Sequence, residues 1–125
     1  AALDLPPGLM VAELALEQVA QRRLPRATPV PRFPSVRRDL AVELDADQPW
    51  AAVERSIRGA VGAQLVELRL FDEYRGTGLD PGRKSLAMGL ILQEASRTLT
   101  DDEVEAKLTL ALAALERDCA ARLRG

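Results

Sequence analysis

Histidine is absent from this sequence, and cysteine occurs once, at Cys119. Without imidazole or a second thiol, the usual zinc sites and histidine-based acid/base chemistry have no ligands, and no internal disulfide can form. Many enzyme classes are thereby removed, and no metal ligand is expected. Aromatic residues are nearly as scarce: one tyrosine, one tryptophan and two phenylalanines, 3% of 125 residues. No apolar run approaches the roughly 18 to 20 residues of a membrane span, and no basic stretch leads into an apolar run with a small-residue cleavage site. A soluble, cytoplasmic protein with no membrane partner is expected, and a lone thiol suits a reducing compartment. A strong bulk charge is missing too, since the net charge is only −2, so nucleic acid would not be coated through charge alone.

What remains is patterned. Apolar residues make up 47% and charged residues 29%, the balance of a globular domain with an ordinary core. Residues 9 to 16, "LMVAELAL", read as a strand, and "EQVAQRR" after them as a short helix. The segment "LPRATPVPRFP" then carries four prolines in eleven residues, which blocks helix and interior strand and makes an extended linker. The expected organisation is a terminal remnant of another domain over residues 1–24, a linker over 25–33 and one domain over 34–125.

Beyond Pro34 the periods are distinct. "RDLAVEL" alternates with Leu40, Val42 and Leu44 on one face, and "LVELRLF" reads as a strand with Val66, Leu68 and Leu70 inward. "SLAMGLILQ" places Leu86, Met88, Leu90 and Leu92 inward and Ser85, Ala87, Gly89 and Ile91 outward. Trp50, Val53, Ile57 and Val61 recur at helical spacing between Pro49 and Gly62, with Trp50 as a core anchor. A second helix opens on a capping box of Thr100 and Glu103, with Leu99 and Val104 as its hydrophobic staple. Its apolar stripe ends at Cys119, read as a small buried residue. The final "AARLRG" supplies a short strand with Leu123 inward and Arg122 and Arg124 outward.

The order β-α-β-β-α-β predicts an α+β, ferredoxin-like split βαβ fold: a four-stranded antiparallel sheet with both helices on one face. The other face stays open. Ala41, Ala87 and Gly89 fall at its centre, a shallow floor able to admit a base. The loop "DEYRGTGLDPGRKS" holds the only tyrosine beside three glycines and three basic residues. It is no phosphate-binding loop, because the G-x-x-x-x-G-K-[ST] spacing fails at Pro81 and Arg83 and a strand follows it. An irregularity near Leu70 and Phe71 would turn Phe71 into the core and bring Asp72 and Tyr74 onto the open face beside Ser85. There a phenol can stack and a carboxylate can accept from a base edge. The bland alternatives are an edge-of-core role for Tyr74, a turn carboxylate at Asp72 and a strand-start hydroxyl at Ser85. Arg38 and Asp39 read as a local ion pair. The acids Asp101, Asp102 and Glu103 are accounted for by the helix dipole. A small-molecule regulatory or protein-interaction domain of the same fold would want an apolar open face, and Ile91 is the only large aliphatic side chain assigned there.

Three segments, "RFPSVRRDLAV", "LFDEYRGTGLDPGRKSLAMGLIL" and "RTLTDDEVEAKL", resemble in order and spacing the ferredoxin-fold anticodon-binding domain that ends the bacterial phenylalanyl-tRNA synthetase beta chain. The resemblance runs from about Phe33 onward. It implies recognition of the anticodon of phenylalanine tRNA on the exposed sheet face, with adenylation and transfer on the alpha chain. This segment would then be the non-catalytic, cofactor-free part of a ligase that uses ATP and Mg²⁺. The positions matching the family's base contacts are Asp72, Tyr74 and Ser85, with Arg122 or Arg124 as a C-terminal arginine. Arg75, Arg83 and Lys84 are expected near phosphates, where basic groups position RNA without reading it. Residues 1–24 resemble the end of the preceding beta-chain domain, and the implied partners are the other beta-chain domains and the alpha chain of an (αβ)₂ heterotetramer.

Overall fold

The computed structural model describes residues 5–21, 24–27 and 29–124. Its contacts divide the chain into Ala1–Val30 and Pro31–Gly125. In the first unit, α1 (Leu16–Val19) is a single turn that buries nothing. It overlaps the helix expected over residues 17–23, of which Arg22 and Arg23 lie outside the described residues. The strand expected over residues 9–16 does not form: residues 9–15 have no regular structure, and Met10, Val11 and Leu14 are exposed. An apolar run alone cannot hold a strand that has no neighbour to pair its backbone groups.

The second unit has the ferredoxin-like order read from the sequence. It comprises β1 (Val36–Asp45), α2 (Trp50–Val61), β2 (Leu65–Tyr74), β3 (Arg83–Leu92), α3 (Asp101–Cys119) and β4 (Arg122–Leu123). The antiparallel sheet runs β2-β3-β1-β4, so β1 and β3 are central. These two pair from Val36 opposite Leu92 to Asp45 opposite Arg83 without a shift. Such a register holds Leu40, Val42 and Leu44 on the same face as Leu86, Met88, Leu90 and Leu92, and all seven are buried. Val53 and Ile57 from α2 and Val104, Ala111 and Leu115 from α3 close the core over that face. Each large aliphatic side chain so buried contributes about 1.5–3 kcal/mol before chain entropy is counted. Trp50 packs half-buried against the cluster.

The helix ends follow local chemistry. Thr100 accepts from the Glu103 backbone while the Glu103 carboxylate accepts from the Thr100 backbone, so the expected capping box is present; Leu99 and Val104 are both buried beside it. By contrast α2 has no side-chain cap at Pro49, and it depends on packing. Gly62, at φ 77°, ends it, and Lys107 Nζ of α3 donates to the Val61 carbonyl at 3.1 Å. Ala120 takes the left-handed conformation at φ 48° after α3.

Two assignments are corrected, and a third holds in face but not in burial. Val66 is 50% exposed rather than inward, because the β2–β3 register shifts between Leu65 and Glu67. Arg38 does not pair with Asp39, because neighbours on a strand point to opposite faces. Arg38 turns to the helix side and reaches Asp101 at 3.3 Å and Glu105 at 3.7 Å, while Asp39 pairs with Arg37 at 2.8 Å on the other side. Leu123 faces the side of Val42 in register, but on so short an edge strand it stays largely exposed.

Two outcomes test these ends. The Arg97 guanidinium, assisted by the Thr100 amide, holds the Glu103 carboxyl at about 2, below its ordinary 4.5. A depressed carboxylate stabilises the fold above about pH 4.5 and loses that contribution as pH falls toward about 2. Glu103→Gln should flatten the pH dependence of urea unfolding in that window, and an unchanged slope would contradict the assignment. Ala120→Gly should stabilise the chain by about 0.5–1 kcal/mol, the left-handed penalty exceeding the added chain freedom; the denaturation midpoint reads it directly.

Candidate nucleic-acid interface on the open sheet face

The face opposite the helices is built from alternate residues of the four strands. Arg37, Asp39, Ala41 and Glu43 come from β1, and Ser85, Ala87, Gly89 and Ile91 lie opposite them on β3. From β2 come Glu67, Arg69, Asp72 and Tyr74, and from β4 Arg122. The small floor is present at the expected residues. Part of it is covered, however: a Cβ on Gly89 would stand 3.2 Å from Asp39 Oδ1 and 3.3 Å from Arg37 Nε, so this ion pair lies directly on the glycine. Ala41 and Ala87 form the more open part.

A register shift between Leu70 and Asp72 delivers the expected irregularity. Leu70 pairs with Met88 and packs on the core, while Asp72 pairs with Ala87 and Tyr74 with Ser85. The shift does not bury Phe71, contrary to expectation; that side chain is 50% exposed, with the Arg37 guanidinium 5.7 Å from its ring centre. The extra residue of a bulge shares one partner with its neighbour, so Phe71 accompanies Asp72 outward instead of taking the alternate face. Sequence reasoning missed Phe71 and Arg37 as members of this face; the bulge it proposed was the available signal.

Tyr74 is fixed from three directions. Its hydroxyl donates to the Thr77 carbonyl at 3.0 Å, its ring lies against Gly76, where a Cβ would approach the hydroxyl to 2.8 Å, and Arg124 stands 5.4 Å from the ring centre. Arg124 also approaches Glu43 at 3.9 Å. Ser85 lies beside Tyr74 in register and is only 4% exposed. Asp72 is exposed, while the acids on either side of it are held: Glu67 by Arg69 at 2.6 Å and Glu73 by Arg75 at 2.6 Å. The Arg75 hydrogen bond, with Lys84 nearby, lowers the Glu73 carboxyl from its ordinary value.

The remaining basic residues are placed unevenly. Arg122 pairs in register with Glu43 at the β4 edge and is exposed. Arg75 also donates to the Ala46 carbonyl at 3.1 Å, tying the loop to the β1–α2 turn. Arg83 bridges Asp45 at 3.1 Å and the carbonyls of Glu43 at 2.9 Å and Ala120 at 3.3 Å, with its side chain 15% exposed. The Lys84 side chain is 7% exposed and turns to Glu73. On the helix side, a groove of about 680 Å³ between α2 and α3 is lined by Ala52, Gly59, Leu110 and Ala113. Ser56 donates to Asp118 there at 2.8 Å, and burial pushes the neighbouring Cys119 thiol up, away from the reactive thiolate. Among the described residues no group of three or more histidine, cysteine or acidic residues could hold a metal, and no helix is long and apolar enough to cross a membrane.

Gly76→Ala should displace the phenol and break its bond to Thr77, since the clash is with the ring carbon as well as the hydroxyl. The ring is the only tyrosine signal, so loss of its nuclear Overhauser contacts to Thr77 is the measurement, with retained contacts as the contrary result.

Comparison with known proteins agrees with this geometry. The family model of the ferredoxin-fold anticodon binding domain matches residues 31–124. The phenylalanine–tRNA ligase beta subunit of Xanthomonas euvesicatoria pv. vesicatoria (strain 85-10) is 53% identical over 98% of this chain and 16% of its own length. That of Pseudomonas syringae pv. tomato is 51% identical over 98% of this chain and 15% of its own length. The chain thus spans about one sixth of the relatives it matches. With the family model matched over residues 31–124 and relatives about half identical, the chain belongs to the ferredoxin-fold anticodon binding domain family, as found in the beta subunits of phenylalanine–tRNA ligases.

Proposed function

We propose that this chain recognises the anticodon of phenylalanine tRNA on the open face of its sheet, as the non-catalytic part of a phenylalanine–tRNA ligase beta subunit. Tyr74 carries the reading. A phenol held on an uncovered sheet face by Gly76 and Thr77 is a pre-set stacking platform, and stacking contributes about 1–3 kcal/mol per base. Asp72 accepts hydrogen bonds from the amino edge of a base, and Ser85 offers its hydroxyl at the floor below the ring. Arg124, resting on Tyr74, is the C-terminal arginine best placed to meet the stacked base, with Arg122 at the strand edge beside it. Of the loop cations, Arg75 has the more exposed guanidinium and is the better phosphate contact; the internal bonds of Arg83 and the burial of Lys84 favour supporting roles for them.

Residues 1–24 belong to the end of a preceding beta-chain domain, joined by the proline-rich linker over 25–33. The exposed apolar side chains of Leu9, Met10, Val11 and Leu14 support a segment whose packing partner is another part of that chain. ATP and Mg²⁺ serve the chemistry on the alpha chain of the cytoplasmic (αβ)₂ enzyme. Here the acids Asp101, Asp102 and Glu103 begin a capped helix and the one thiol is buried.

Titration of the chain with an anticodon stem-loop of phenylalanine tRNA at fixed low salt is the test. Tyr74→Ala should weaken binding by about 1–3 kcal/mol. Equal affinity for variant and native chain would remove Tyr74 from the interface, and no binding by the native chain would overturn the reading.

A further inference from the structure

We infer that Phe71, with Arg37 on its ring, forms a second nucleobase-stacking position, taking the base next in line to the one on Tyr74. This rests on the open face binding single-stranded RNA. In a chain with four aromatic residues, leaving a phenyl ring 50% exposed forgoes burial that the core could have supplied; Leu70 takes the inward place instead. The ring is also provided with a cation. Arg37 Nε is anchored on Asp39 at 2.8 Å, and the pair can lie flat on the sheet because position 89 has no Cβ. That brings the guanidinium carbon 5.7 Å from the Phe71 ring centre. Arg124 over Tyr74, at 5.4 Å, repeats the arrangement.

The two arginine-capped rings are set along one strand of one face. Phe71 is the extra residue at the shift between Leu70 and Asp72, and Tyr74 lies two paired positions beyond Asp72, so the rings are three residues apart, about 10 Å on a fully extended strand and less across a bulge. One unstacked nucleotide step can bridge that interval, which is how single-stranded bases are splayed onto protein surfaces. Asp72 stands between the rings, where its carboxylate can accept from the edge of either base. Phe71 itself carries no donor or acceptor, so this position supplies affinity and register while sequence is read by Asp72. A guanidinium over the ring favours a nucleotide, with its phosphate and π face, over an apolar protein segment.

The experiment uses the full 125-residue chain and the anticodon stem-loop, with 2-aminopurine placed at each loop position in turn to report stacking by quenched fluorescence. The native chain should quench two adjacent positions. Phe71→Leu keeps the apolar bulk and removes the π face. It should abolish quenching at one position, preserve it at the other and weaken binding about 5- to 100-fold, with an unchanged melting midpoint. Tyr74→Ala should abolish the complementary signal. If Phe71→Leu binds and quenches as the native chain does while Tyr74→Ala is weakened, the second position is refuted, its exposure belongs to a protein neighbour, and the anticodon reading survives. If the native chain neither binds nor quenches, both fall.

Discussion

The uninterrupted ladder between β1 and β3 is the constraint on which this domain depends. Because side chains alternate along a strand, one fixed register decides the face of every residue on both central strands. Seven aliphatic side chains are sent together to the helix side, and Ala41, Ala87 and Gly89 to the open side. A slip of one residue would expose the former and bury charges. The depth of the aliphatic layer makes that slip unfavourable, so the same force that builds the core also builds the shallow floor.

The open face acquires its aromatic and acidic groups where β2 departs from that regularity. At Leu70–Asp72 the pairing gains a residue, and the strand beyond it presents Phe71, Asp72 and Tyr74 to the open side. A regular β2 would have placed Asp72 and Tyr74 with Leu68 and Leu70 against the helices. Burying an unpaired carboxylate there would be strongly unfavourable. The bulge therefore serves two ends at once: it keeps the leucines inward and releases the polar and aromatic groups outward.

Charge on this face is locally balanced rather than broadly basic. Arg37, Arg69 and Arg124 each lie near a carboxylate, from Asp39, Glu67 and Glu43. Exposed pairs of this kind contribute little stability, about 0–1 kcal/mol each. Their structural effect is to hold guanidinium planes at set positions, two of them against aromatic rings. Such a face suits shape and stacking recognition, in keeping with a net charge of −2.

The period-two patterns of β1 and β3, the helical stripes and the Thr100–Glu103 box were legible in sequence because each depends on local geometry alone. So was the fold class, which follows from their order, and so was the family, through three spaced motifs. Residues 9–16 misled because an apolar run forms a strand only when a partner strand pairs its backbone. Arg38 misled because adjacency in sequence is separation across a sheet. The number of shifts along β2, the exposure of Val66 and Phe71, the stacking of Arg37 and Arg124 and the inward commitments of Arg83 and Lys84 were decided only in the tertiary structure. Each is a contact between segments far apart in the chain, and which contacts win is set by packing that no single stretch of residues contains.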